Sequence, residues 1–210
     1  MTAVLDPQTQ GLMRVALALP HASENELADW MRRAREEGTP ALWLEELLLA
    51  SVLYVGFPRA IVAWTVYRRL EPDPAPGSEP SDYARWQEWQ GRGEAACRAV
   101  YGKHYDQLRH NIGALHPALD QWMIVDGYGK TLSRGGLSLM QRELCSVAML
   151  VPQGVPRQLV SHFTGAINTG ATPEQVDEVL NLATALPVRS RNLDVARSLW
   201  QELKDSLVHD

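Results

Sequence analysis

Cysteine is nearly missing from this chain: among 210 residues only Cys97 and Cys145 occur. They lie far apart and in no metal-ligand spacing, which excludes a disulfide framework and a cysteine-based zinc site. Basic character is lacking too. The formal charge is −5, the pI is near 5.7 and no basic stripe is visible, whereas sequence-independent nucleic-acid binding needs such a face to neutralise phosphates. The apolar segment after MTAVLDPQTQ is interrupted by Arg14 and ended by Pro20, so it reads neither as a secretory leader nor as a membrane span. The expected setting is the cytoplasm, with neither membrane nor nucleic acid as a partner. Alternation of polar and apolar residues at period two is also missing over any useful length, which points to an all-α fold.

What is present is an ordinary soluble composition, 45% hydrophobic and 21% charged, enough to bury one large core or two closely packed similar ones. The chain also matches itself. Residues 5–48 shifted forward by 132 positions align without a gap on residues 137–180 and coincide at ten positions, among them Leu12/Leu144, Val15/Val147, Ala34/Ala166, Gly38/Gly170 and Glu46/Glu178. These are mostly the apolar, helix-ending and turn types that define a fold, so the halves are expected to share one helical unit. The polar residues differ: Gly11 and Trp30 stand where the second copy has Glu143 and His162.

Local signals mark the helices. Asp6-Pro7 is an N-cap followed by proline at the first helical position; Gly38 can end a helix in the left-handed conformation; Trp43 to Leu53 is apolar almost all round until Gly56-Phe57-Pro58 breaks it. Residues 71–81, EPDPAPGSEPS, read as an exposed linker. A helix is expected from about Pro117 to Leu132. Ser138 with Gln141, and Thr172-Pro173-Glu174-Gln175, make capping boxes, the second opening a helix Val176–Leu186, and a last helix runs from about Asn192 to Leu207. The organisation expected is a degenerate repeat at 1–70, a proline-rich linker and connecting segment at 71–91, and a second repeat with the candidate site at 92–210.

Among residues able to do chemistry, His162 stands first, because imidazole changes charge near neutral pH. It shares a helical face with Leu159 and Ala166 and therefore points inward; a core histidine held by one hydrogen bond fits that spacing and is the commoner case. Glu143 lies between Met140 and Val147 on the core side of its helix, where a carboxylate needs a cation or His162 to offset desolvation. Arg134 and Arg142 precede it and offer planar forks suited to carboxylates, although a surface ion pair is the plainer reading of Arg142. Asn168 before Gly170 fits a cap or turn.

Several separated motifs resemble the gamma-carboxymuconolactone decarboxylase family, part of the alkylhydroperoxidase-D-like superfamily. They are Arg98-x-Val100-Tyr101-Gly102-x-His104, Tyr128-Gly129-x-x-x-Ser133-Arg134-x-Gly136-Leu137, Arg142-x-Leu144-x-x-Val147-Ala148, and Leu159-x-x-His162-x-x-Gly165-Ala166-x-Asn168-x-Gly170. The family's Tyr-Ala-Gly-x-Pro turn is missing from the second copy, which reads Ala185-Leu186-Pro187-Val188-Arg189, but has its like in the first, at Tyr54-Val55-Gly56-Phe57-Pro58. One composite site per chain is therefore expected, with His162 facing Tyr54. The resemblance implies a cofactor-free decarboxylation of a small anionic lactone in aromatic-acid breakdown. Arg134 would clamp the anion with help from Arg142, His162 would donate the proton, Glu143 would set its tautomer, and Tyr54, Tyr128 and Phe57 would form walls or donate a hydroxyl. It also implies a ring assembly, a trimer for a two-copy chain. Two other readings fit: a non-catalytic oligomer-forming module, and a related proton-transfer or lactone enzyme. The superfamily's thiol peroxidase chemistry is excluded unless Cys145 has been recruited, since its Cys-x-x-Cys pair is replaced by Val155 and Gln158.

Overall fold

The computed structural model describes residues 4–207, and no strand occurs among them. Three helices open the chain: α1 (Pro7–Ala18), α2 (Glu24–Glu36) and α3 (Ala41–Leu70). Asp6 caps α1, accepting the Thr9 N–H at 2.8 Å, and Ser23 with Glu26 closes a capping box on α2. Inside α3, Gly56 takes φ 73° and ψ 164°, two residues before Pro58, so the helix kinks where a residue with a Cβ would be strained. After the irregular stretch come α4 (Trp86–Tyr101), α5 (Tyr105–Leu115) and α6 (Pro117–Trp122), then a π-helical segment Met123–Leu132. The chain closes with α7 (Leu139–Leu150), α8 (Pro156–Asn168), α9 (Pro173–Leu182) and α10 (Ser190–Leu207).

The self-match extends to helix ends. Moving α1 and α2 forward by 132 positions gives the bounds of α7 and α8, and the first residue of α3 falls on that of α9. Gly38 and Gly170 end their helices with φ of 92° and 104°, the left-handed conformation that glycine adopts most cheaply. A single hydrophobic cluster contains Leu12, Val15 and Leu44 from the first copy together with Leu144, Val147 and Phe163 from the second. The two copies thus contribute to one core.

They pack differently at one corner. In the first copy α1 lies so close to α2 that a Cβ on Gly11 would sit 2.5 Å from Thr39 Oγ1 and 3.1 Å from Ala34 Cα. Thr39 is fully buried and donates to the Gln8 carbonyl at 2.8 Å. At the matching corner of the second copy stand Glu143 and Ala171.

Three expectations change. The helix expected from Pro117 to Leu132 is α only to Trp122, and the rest is wound as a π-helix. Glycines explain its tight seating: α4 and the π-segment approach until a Cβ on Gly93 would strike the Ile124 carbonyl oxygen and one on Gly129 that of Trp89. The helix placed at Val176–Leu186 spans Pro173–Leu182 and continues as a 3₁₀ turn, Ala183–Ala185. Residues 71–81 are irregular but not simply exposed. Ala75 is buried and donates its N–H to Glu45 Oε1 at 2.9 Å, and the Glu79 carbonyl accepts from Arg134 Nη2 at 2.6 Å. That makes the linker a strap across the molecule.

By length and composition α3 could cross a membrane, with a mean hydropathy of 1.7 over its most apolar window. Its buried carboxylates argue otherwise, since Glu45 pairs with Arg68 at 2.7 Å and Glu46 with Arg134 at 3.0 Å, tying this helix into the protein's own core.

Candidate active site

α7 and α8 run side by side and carry the two residues of the site's centre. Glu143 on α7 is fully buried and its Oε2 lies 2.8 Å from Nδ1 of His162 on α8. One turn beyond His162, Gly165 makes room for this pairing: a Cβ there would sit 2.5 Å from Glu143 Oε2 and 2.7 Å from Val100 Cγ1. The second carboxylate oxygen, Oε1, is buried with no hydrogen-bond partner, so the imidazole is the carboxylate's principal polar contact. With Nδ1–H donated to Glu143, Nε2 is the nitrogen left for chemistry, the arrangement by which carboxylates fix a histidine's tautomer.

Tyr54 of α3 meets His162 edge-on, with ring centroids 5.6 Å apart at 70°. The first copy therefore supplies a wall beside the second copy's imidazole, as the divided motif implied. Ser146 Oγ lies 2.5 Å from Tyr54 Oη and 2.8 Å from the Arg142 carbonyl. A cavity of about 320 Å³ opens against His162, its walls including Leu53, Tyr54, Tyr101, Trp122 and Tyr128. Tyr101 and Tyr128 cross at 78° with centroids 6.3 Å apart. Burial, and then the negative charge of Glu143, hold the Tyr54 and Tyr128 hydroxyls well above the usual phenol range, and burial pushes Tyr101 up to about 12. All three remain hydrogen-bond donors at neutral pH.

Three sequence expectations are corrected. Arg134 does not reach into the His162 cavity; its guanidinium grips Glu46, with Nε at 3.0 and 3.1 Å and Nη2 at 3.0 Å from the carboxylate oxygens. Arg142 is 1% exposed, and its Nη2 is held by Glu46 Oε2 at 2.9 Å and by the carbonyls of Arg134 and Gly135. One buried carboxylate engages both, and neither arginine lines the His162 cavity, although Nε and Nη1 of Arg142 are buried without a hydrogen-bond partner. Phe57 is 68% exposed and lines an adjoining groove rather than the cavity at His162. Tyr54, Tyr128, Glu143 and His162 do come together.

Sequence reasoning missed Ser146, which gave no signal, and undervalued Tyr101 and Gly165, both of which stood in quoted motifs. It passed over Glu46 although the self-match had singled it out. Both cysteines are buried, and that burial pushes each thiol up to about 12, so neither supplies a thiolate near neutral pH.

The carboxymuconolactone decarboxylase family matches residues 117–188, a span that holds Glu143, His162 and the π-segment. The chain is 32% identical over 159 residues to Peroxisomal protein 2 of Schizosaccharomyces pombe, covering 72% of this chain and 73% of that protein. It is 28% identical to Peroxisomal protein 2 of Saccharomyces cerevisiae, of which the match spans only 58%. Over 113 residues it is 22% identical to 4-carboxymuconolactone decarboxylase of Acinetobacter baylyi, covering 52% of this chain and 84% of that one. The chain belongs to the carboxymuconolactone decarboxylase family.

Proposed function

We propose that this protein is a cofactor-free acid–base enzyme that decarboxylates a lactone-type carboxylate. The observation that carries the reading is the buried Glu143–His162 pair at 2.8 Å, set against a cavity walled by Tyr54 and Tyr128. Loss of carbon dioxide from a carboxyl conjugated to a lactone carbonyl leaves a dienolate, so the substrate is its own electron sink. The protein has three tasks. Apolar walls such as Leu53 and Leu132 disfavour the charge of the departing carboxylate. Neutral phenols donate to the developing oxyanion, which suits Tyr54, Tyr101 and Tyr128 because their protons are held firmly. The imidazolium of His162, oriented and stabilised by Glu143, delivers a proton from Nε2 to the dienolate carbon.

The test is carbon dioxide release from 4-carboxymuconolactone by the full chain. His162→Gln should lower the rate by about 10²- to 10⁴-fold, and wild-type release no faster than in buffer would reject the reaction. A related proton transfer on a less charged acid is the second reading. It is favoured by one observation: both arginines expected to receive an anion are held by Glu46. A role in assembly alone accounts less well for a carboxylate buried against an imidazole beside an open cavity.

The trimer remains part of the proposal. Phe57, Ile61 and Leu119 are 68%, 59% and 43% exposed and are apolar side chains available for a second copy to cover. A solution mass of one chain would remove it. The two yeast relatives carry a peroxisomal name, so the compartment proposed is either the cytoplasm or the interior of that organelle.

A further inference from the structure

We propose that the substrate of the His162 site carries an extended hydrocarbon tail, which lies in a groove running from the cavity along α3. This rests on the reading of His162 as the acid–base group. The groove holds about 650 Å³, and Leu53, Trp122 and Asp126 line both it and the His162 cavity, so the two chambers adjoin. Its far walls are Leu49, Val52, Phe57 and Trp64 of α3 and Pro74 of the strap. Both volumes fall within the range of ligand sites. A small lactone acid occupies the first chamber and leaves the second empty.

Charge tells what the second chamber takes. Three cations line it, and each already holds a carboxylate: Arg68 holds Glu45 at 2.7 Å, Lys130 holds Asp126 at 2.7 Å, and Arg134 holds Glu46 at 3.0 Å. The carboxylates of Glu45, Glu79 and Asp126 stand in the same lining and oppose an anionic group, whereas a hydrocarbon only displaces water from leucine, valine and tryptophan. The occupant favoured is therefore apolar, attached to a polar head that meets His162.

The test is calorimetric binding of unbranched carboxylates from butanoate to dodecanoate, below their micelle concentrations, to the full chain. Affinity should rise about fourfold per added methylene until the groove is filled. Val52→Trp should flatten that series, and His162→Gln should weaken every member by a common factor while leaving the slope. A series that is flat in wild type overturns the tail, and if His162→Gln still weakens butanoate, the acid–base site survives that failure. Affinities that His162→Gln leaves unchanged throughout the series put the head elsewhere and overturn both. A slope that persists in Val52→Trp overturns the groove, as does a change in assembly mass in that variant, which would assign the groove to a second copy. Should Val52→Trp lose its helical circular dichroism, Leu49→Phe gives the same reading.

Discussion

Gln10 and Arg142 are structural counterparts: each reaches across the molecule to the matching glutamate of the other repeat. Gln10 Nε2 donates to Glu178 Oε1 at 2.7 Å, and Arg142 Nη2 donates to Glu46 Oε2 at 2.9 Å. Since Glu46 and Glu178 are themselves 132 positions apart, the two bonds form a reciprocal clasp. The arginine copy is reinforced by Arg134. This is why a guanidinium that looks suited to substrate belongs to the scaffold.

Removing Glu46 should therefore damage the fold before the chemistry. Glu46→Ala leaves two guanidiniums buried without their carboxylate and should cost about 3–5 kcal/mol in urea unfolding. Activity per folded molecule should hold. A loss below about 1 kcal/mol, or a specific loss of turnover in fully folded protein, would contradict the scaffold role.

Gly165 gives a sharper test of the Glu143–His162 pairing. Alanine normally stabilises a helix relative to glycine, but here its methyl would meet Glu143 Oε2 at 2.5 Å. Gly165→Ala should thus destabilise by about 1–3 kcal/mol and impair turnover. Shortening the acid in the double variant Gly165→Ala, Glu143→Asp should recover part of the stability, the contact with Val100 Cγ1 at 2.7 Å remaining, whereas a general helix effect would show no recovery.

Tyrosine titration reports the electrostatics of the cavity. Ultraviolet titration should show Tyr101 ionising near pH 12 and Tyr54 and Tyr128 well above the ordinary value of 10. The folded state retains these protons longer than the unfolded chain. Their contribution to stability is therefore complete below pH 10 and is lost as pH climbs toward the folded values. Phenolate absorbance rising fully by pH 10, with no accompanying unfolding, would refute this burial.

Much of the fold was legible because its signals are local. Ser138 with Gln141 and Thr172 with Gln175 form the capping boxes read from spacing, and the 132-residue register gave helix positions in duplicate. The meeting of Tyr54 with His162 was legible as well, because the two lay in separate halves of one divided motif. The arginines were not. Arg134 and Glu46 are 88 positions apart, and no local pattern says which of several carboxylates a buried guanidinium will find. The strap failed for a related reason: a proline-rich, acidic stretch looks solvated until Glu45 is seen receiving the Ala75 N–H. The π-turns after Trp122 depend on how closely α4 approaches, which only the packing around Gly93 and Gly129 decides.

The tight corner at Gly11 works as a ratchet on the protein's history. Putting a glutamate back there is obstructed by the Thr39 hydroxyl and the Ala34 backbone, and a histidine in place of Trp30 would then lack its carboxylate. Building a Glu–His pair into the first copy thus requires at least three coordinated changes, with Thr39 shrinking toward the alanine that stands opposite it at position 171. Each single substitution along that route loses packing, so the buried carboxylate–imidazole pair has room at only one of the two matching corners.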